Sequence, residues 1–157
     1  MDTLARSSTF RHTTIRIDTQ HPTQFIDLTD RVEAALTEAG IRTGLVNIQS
    51  LHTTTAIVVN EHEPLLLTDM AALLERVAPQ DGVYRHDNVS LRTSNCVLGE
   101  RPNGHSHCRA LLLAPAVCLN VASGRLQLGR WQRLFLAELD GPRTRDVSVL
   151  LVGDGDR

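Results

Sequence analysis

The sequence predicts an α+β fold, with about seven to nine mostly antiparallel strands and two or three helices packed on them. Three observations point there. Apolar and polar residues alternate with a period of two near the N-terminus, as a half-buried strand requires. The period lengthens to that of a helix in two stretches, from Gln24 and from Pro64. Late apolar segments are joined by short turns such as Ser123-Gly124, which suit hairpins rather than crossover helices. The 157 residues are enough for one domain with a real core, expected to span residues 1–157. Only 3% are aromatic, so that core must be built from Leu, Val, Ile and Ala.

Along the chain, Arg11, Thr13, Ile15 and Ile17 alternate with Phe10, His12, Thr14, Arg16 and Asp18, a β-branched pattern that favours a strand. His21-Pro22 ends it. Phe25, Leu28, Val32, Leu36 and Ala39 then mark one face of a helix, with Asp30 and Glu33 as a capping pair and Gly40 as its stop. Strands over about residues 43–51 and 54–59 follow, with His52 between them. Glu63-Pro64 reads as a helix start, since proline is tolerated in the first turn, and Leu66, Met70, Leu73, Leu74 and Val77 keep helical spacing up to Pro79. Residues 80–104 are irregular, and so long a loop is usually functional or covered by a partner. Residues 110–114 fit a short helix or a buried strand. Val117 to Ala122, Leu126 to Leu128, Arg130 to Leu139 and Asp146 to Val152 complete the strands. The last is apolar on both faces, as a central or interface strand would be.

Composition excludes several classes. Net charge is -2, without a basic run, so a phosphate-backbone footprint for nucleic acid is not expected. All 16 basic residues are Arg, which removes lysine Schiff-base chemistry. Cys96, Cys108 and Cys118 are odd in number and form no Cys-x-x-Cys pair. With no leader and no long apolar run, the chain is expected to be cytoplasmic, with no membrane span and thiols that are mostly buried.

The candidate chemistry lies in polar blocks: His52-Thr53-Thr54-Thr55, Tyr84-Arg85-His86-Asp87 and His105-Ser106-His107-Cys108-Arg109. His52, His86 and His107 could supply three neutral nitrogens to a divalent metal, zinc or magnesium, with one position left open. They could equally form a hydrogen-bonded cluster without metal, and His52 could simply cap a strand end. His105 and His107 would share a side on a strand and separate on a helix. Asp87 could orient a histidine. Glu61, Asp69 and Glu138 are candidate catalytic carboxylates, although Glu61 could instead complement a helix dipole. Glu138, if buried in an apolar strand, needs an Arg or His partner. Asn60, His105, Arg109 and Gln132 are candidate substrate contacts, with Arg109 the first choice for an anion. Arg85 and Arg125 are further candidates for phosphate. Trp131 suits a core or an interface.

Taken in order, these blocks resemble the YjbQ-type family, whose members are commonly labelled secondary thiamine-phosphate synthases. His52-Thr-Thr-Thr-Ala, Asn60-Glu61, Asp69, Arg85-His86-Asp87, His107-x-Arg109-Ala110 and Gly129-x-Trp131-Gln132 through Glu138 carry the likeness from about residue 10 to about residue 152. The resemblance implies sheets sandwiched with two or three helices, a homotrimer, and a pocket holding these residues with a divalent metal. It implies a transferase that joins hydroxymethylpyrimidine diphosphate to thiazole phosphate. Ala114-Pro115-Ala116 and His105 depart from the pattern, which leaves room for a different small phosphorylated substrate. Two other readings stay open: metal-assisted hydrolysis of a phosphorylated or carbonyl substrate, and a non-enzymatic ligand- or metal-binding trimer.

Overall fold

A computed structural model describes residues 8–97 and 99–155. Its strands are β1 (Thr9–Asp18), β2 (Gln24–Asp27), β3 (Ile41–Ser50), β4 (Thr55–Glu61), β5 (Ala116–Ala122), β6 (Arg125–Leu126), β7 (Gln132–Glu138) and β8 (Thr144–Gly155). The helices are α1 (Thr29–Ala39), α2 (Pro64–Val77) and α3 (Gly104–Leu111). Every strand pairing is antiparallel. One sheet runs β1-β8-β3-β5-β6 and the other β2-β7-β4. The α+β expectation is met, and it was the two periods that made it readable.

The core lies where the inner faces of the two sheets meet α1. Val46, Ile48, Val147, Val149 and Leu151 come from the large sheet, Ile57, Leu134 and Leu136 from the small one, and Val32 and Leu36 from the helix. Each aliphatic side chain buried there contributes roughly 1.5–3 kcal/mol. Strand β7 is buried on both faces from Leu134 to Glu138, because it is the middle strand of its sheet.

Several boundaries differ from expectation, each for a local reason. The helical stripe starting at Phe25 mixes two elements, since residues 24–27 pair with β7 as a strand. Asp27 then accepts the Thr29 N–H at 2.8 Å and caps α1, while Asp30 is drawn to Arg133 instead. Gly40 does end that helix, with φ at 67°. Residues 110–114 are the tail of α3 and the turn after it, so His105 and His107 diverge. Strand β8 is central, as expected, but only one face is sealed: Arg145, Val147, Val149 and Leu151 point inward while Ser148 and Leu150 face out. Trp131 is 62% exposed, under the Arg130 guanidinium at 4.7 Å, and takes no part in the core. The three cysteines are exposed thiols rather than buried ones. Among the described residues no helix is long and apolar enough to cross a membrane.

Candidate functional site

The small sheet has two polar ends. Its register sets Thr55 opposite Glu138 at one end and Glu61 opposite Gln132 at the other. Six residues of strand separate them, about 20 Å.

The end near Glu138 is the elaborate one. Glu138 is fully buried, and both its oxygens are saturated. Arg145 donates from Nε at 2.7 Å and from Nη2 at 2.6 Å, Thr19 donates its hydroxyl at 3.0 Å, and the Leu139 and Asp140 N–H groups add bonds of 2.9 and 2.8 Å. A carboxylate so occupied is not a free base. It supplies the paired charge that lets Arg145 be buried, and so aims that guanidinium. Arg145 Nη2 also donates to Thr54 at 3.0 Å. The next turn, Asp140 to Arg143, brings in a second ion pair, with Arg143 Nη2 at 2.8 Å from Asp140. Gly141 in that turn is obligatory: a Cβ there would lie 2.2 Å from the His21 carbonyl oxygen.

Opposite this floor, α3 and the loop before it supply the histidines. Gly104 lets Tyr84 pack close, since a Cβ would sit 2.4 Å from the Tyr84 Cβ. Asp87 accepts the Asn103 and Gly104 N–H groups at 2.9 and 2.8 Å. It caps α3 from a distance rather than orienting a histidine, and in doing so pins the Tyr84–Asp87 segment to the helix. That places the His86 and His107 rings edge to face, 4.6 Å between centroids. His86 Nε2 is buried without a hydrogen-bond partner. Burial, then the neighbouring His86, holds the His107 pKa below its usual value.

Between floor and histidines is a cavity of about 440 Å³, lined by Thr53, Thr54, His86, His107, Arg143 and Arg145, with Arg92, Glu100 and Asp140 among the further walls. Arg92 is itself held by Glu100 and the Asn95 carbonyl. Each of the three guanidiniums is thus fixed by a partner and keeps at least one nitrogen free of hydrogen bonds within the chain. Rigid forks with spare donors suit a phosphate or carboxylate. Imidazole nitrogens beside them can add hydrogen bonds to such a group.

The sequence candidates divide across the molecule. His86 and His107 meet, and Glu138 acts from outside the lining, by holding Arg145. His52 does not join: its Nε2 accepts the Asp146 N–H at 2.8 Å, the strand-end capping alternative, and burial followed by nearby Arg145 lowers its pKa. The three-histidine shell is therefore not formed within one chain. Among the described residues no three His, Cys, Asp or Glu side chains are gathered around a metal-sized space. His105 points into the packing of α3, donating from Nε2 to Ser106, whose hydroxyl is given to the Leu139 carbonyl. Burial first and Arg109 second depress its pKa.

Arg109 is not an anion contact. It is 1% exposed and tied to the Ala78 carbonyl at 2.9 Å, to Thr23 at 3.0 Å and to Glu75, so it clamps α3 to the end of α2. Asn60, Glu61 and Gln132 sit at the far end of the sheet. There Asn60 accepts the Glu61 N–H, and Gln132 accepts the Gly129 N–H. Asp69 is exposed on α2, Arg85 is exposed on the loop, and Arg125 pairs with Glu33 at 3.5 Å. None of these lines the cavity. Arg92, Asn103, Asp140, Arg143 and Arg145 do line it, and they were not singled out from sequence. The Asp140-Gly141-Pro142-Arg143 turn after an apolar strand was the available signal for two of them.

Comparison with known proteins agrees with the fold. The family model described as UPF0047 protein YjbQ-like matches residues 13–154. A UPF0047 protein of Methanothermobacter thermautotrophicus is 38% identical over 135 residues, 86% of this chain and 87% of that one. The UPF0047 protein YugU of Bacillus subtilis is 32% identical over 141 residues, 89% of this chain and 98% of its own. A YbjQ-like protein of unknown function from Sulfolobus solfataricus superposes with a TM-score of 0.82 at 31% identity, covering 94% of this chain and all of that one. From ordered motifs to sheet topology, one conclusion follows: the chain belongs to the YjbQ-like UPF0047 family.

Proposed function

We propose that the cavity binds a small phosphorylated metabolite and that the chemistry run there is a transfer with pyrophosphate as leaving group. The resemblance supplies the candidate reaction. The nitrogen of a thiazole phosphate bonds to the methylene carbon of hydroxymethylpyrimidine diphosphate as the carbon–oxygen bond to the diphosphate breaks. The observation that carries the reading is the lining of one cavity by Arg92, Arg143, Arg145, His86 and His107, with His86 Nε2 buried and without a partner. Buried polar atoms are nearly always hydrogen-bonded, so this nitrogen calls for a ligand atom.

On this reading the arginines take the charge that grows on the departing diphosphate. Donors fixed beforehand stabilise such charge without reorganisation. Glu138, Asp140 and Glu100 do the fixing. His86 and His107 donate hydrogen bonds to the phosphoryl oxygens of the departing diphosphate. A divalent metal would find two imidazoles and, among the described residues, no third ligand gathered with them, so no step is routed through one. The chain acts as an oligomer of identical copies, a trimer by the resemblance.

A second reading, binding without turnover, draws on the pairing of Glu100 and Asp140 with arginines. That pairing leaves no free carboxylate base among the described lining residues. Calorimetric titration with pyrophosphate, beside an assay for pyrophosphate release from the two coupling substrates, separates the readings. Binding with release supports the transferase, and binding without release from these or hydrolytic substrates supports the binding module. If pyrophosphate does not bind, both are wrong.

A further inference from the structure

Asparagine at the start of a helix normally turns its side-chain oxygen onto the free N–H groups of the first turn. Asn103 holds that place at the start of α3 and makes no such bond. Asp87 does the capping instead, accepting the N–H groups of Asn103 and Gly104. The Asn103 amide is turned toward Asp140, giving an Nδ2 hydrogen to Oδ2 at 3.2 Å. That contact fixes which way the amide faces. A carboxylate ion-paired with Arg143 can only accept, so the NH2 group must lie against it and Oδ1 on the other side.

Oδ1 is thereby left without a hydrogen-bond partner among the described residues, in a residue only 5% exposed. It is not walled in. Among the buried and half-buried residues described, His86 Nε2 is the one unpartnered side-chain atom sealed from solvent. Asn103 lines the cavity, so the little of it that is exposed opens there.

The cavity thus presents two kinds of group. Arg92, Arg143 and Arg145 are donors only, and an anionic oxygen satisfies them. Asn103 Oδ1 is an acceptor only, and an oxyanion against it would set lone pair against lone pair. A bare phosphate or pyrophosphate leaves it unanswered, at the cost of an unmade hydrogen bond. Arg143 and Asn103 bond to the same Asp140 oxygen. The amide therefore stands two hydrogen bonds from a guanidinium, and the groups that a ligand offers to each must be close together.

We propose that Asn103 is a specificity-determining residue: its Oδ1 accepts an N–H or O–H group of the ligand, a short spacer away from the anionic group held by the arginines. The preferred ligand is a phosphate ester carrying a hydroxyl or amino donor, rather than a bare phosphate or a plain alkyl phosphate. The inference rests on the reading that the cavity binds a phosphorylated metabolite, and adds what that metabolite carries beside its phosphate.

Matched esters test it. Ethyl, propyl and butyl phosphate are titrated calorimetrically into the full chain beside the same esters with a terminal hydroxyl, with pyrophosphate as reference. Wild type and Asn103→Leu are compared, and the readout is the ratio of dissociation constants within each pair. A general disturbance of the cavity weakens both members alike and leaves that ratio where it was. The expected result is at least one hydroxyl ester bound at least about fivefold more tightly than its alkyl partner by wild type, a preference lost in Asn103→Leu. If phosphates bind but no hydroxyl ester outdoes its partner, the inference is overturned and the functional reading stands; this wild-type comparison needs no variant to fold. A preference that survives in folded Asn103→Leu overturns it as well. If none of the phosphates binds, the functional reading fails and takes this inference with it.

Discussion

At one end of the three-stranded sheet Glu138 is sealed from water, with five donors arranged around it. At the other end Glu61 is half-buried and has no ion partner among the described residues. Both are carboxylates on neighbouring strands, and both stand in polar breaks of apolar runs. The ends differ in what the fold adds: the first receives a glycine turn, the start of α3 and a loop, the second the starts of α1 and α2. The second end is not inert. Asp27 joins Arg133 at 2.7 Å and His62 at 3.1 Å; its burial works against ionisation, yet hydrogen bonds from Arg133 and Thr29 keep its pKa low. That cluster holds α1 to the sheet. Residue type marks where polar chemistry could occur; enclosure decides where a ligand can be held.

The largest effect that would break this contrast is on stability. Glu138→Ala leaves Arg145 buried and uncompensated, which costs about 3–5 kcal/mol in denaturant unfolding. A loss below about 1 kcal/mol would mean that the pair is solvated. Next comes Arg109→Ala, which removes the clamp between α3 and α2. It should cost about 2–3 kcal/mol while the folded protein keeps its pyrophosphate affinity. A selective loss of affinity would return Arg109 to the ligand. His107→Ala should do the converse, lowering pyrophosphate affinity about tenfold with little change in unfolding midpoint.

A smaller effect concerns pH. Burial lowers the folded-state pKa of His52, His105 and His107 from 6.5. As pH falls through 6.5, the unfolded chain therefore takes up protons before the folded one does. This contribution to stability is complete above 6.5 and is lost on acidification toward the folded values. The urea midpoint should fall between about pH 7.5 and pH 5.5, and His52→Gln should flatten the slope. A midpoint that rises on acidification has the wrong sign. Smallest of all is Glu61→Gln, expected to change stability by under about 0.5 kcal/mol and to leave pyrophosphate binding by the cavity unaltered.

The fold was legible because periodicity reports burial directly: Ile15 and Ile17 alternate as strand residues, and Val32 and Leu36 step as helix residues. It misled where two elements shared one stripe, as Phe25 and Leu28 do, and where an apolar strand had one open face, as at Leu150. The site was half legible. His86 and His107 were found as residue types in polar loops, yet nothing in their spacing shows that Asp87 caps α3 and draws them together. His52 has the same type and neighbourhood, but its ring nitrogen is taken by the Asp146 N–H, a partner 94 residues away. Arg145 escaped notice because it alternates inward on an apolar strand, where an arginine is intelligible only once Glu138 is known to be beside it. Long-range pairing is what sequence spacing cannot carry.

The central claim is that His86 and His107, and no other histidines, face the ligand. Imidazole resonances of all seven histidines, followed by proton–nitrogen NMR during titration with pyrophosphate, test it most directly. The account predicts saturable shifts at His86 and His107, with His12, His21, His52, His62 and His105 unmoved. Shifts centred on His62, or none at His86, would contradict it.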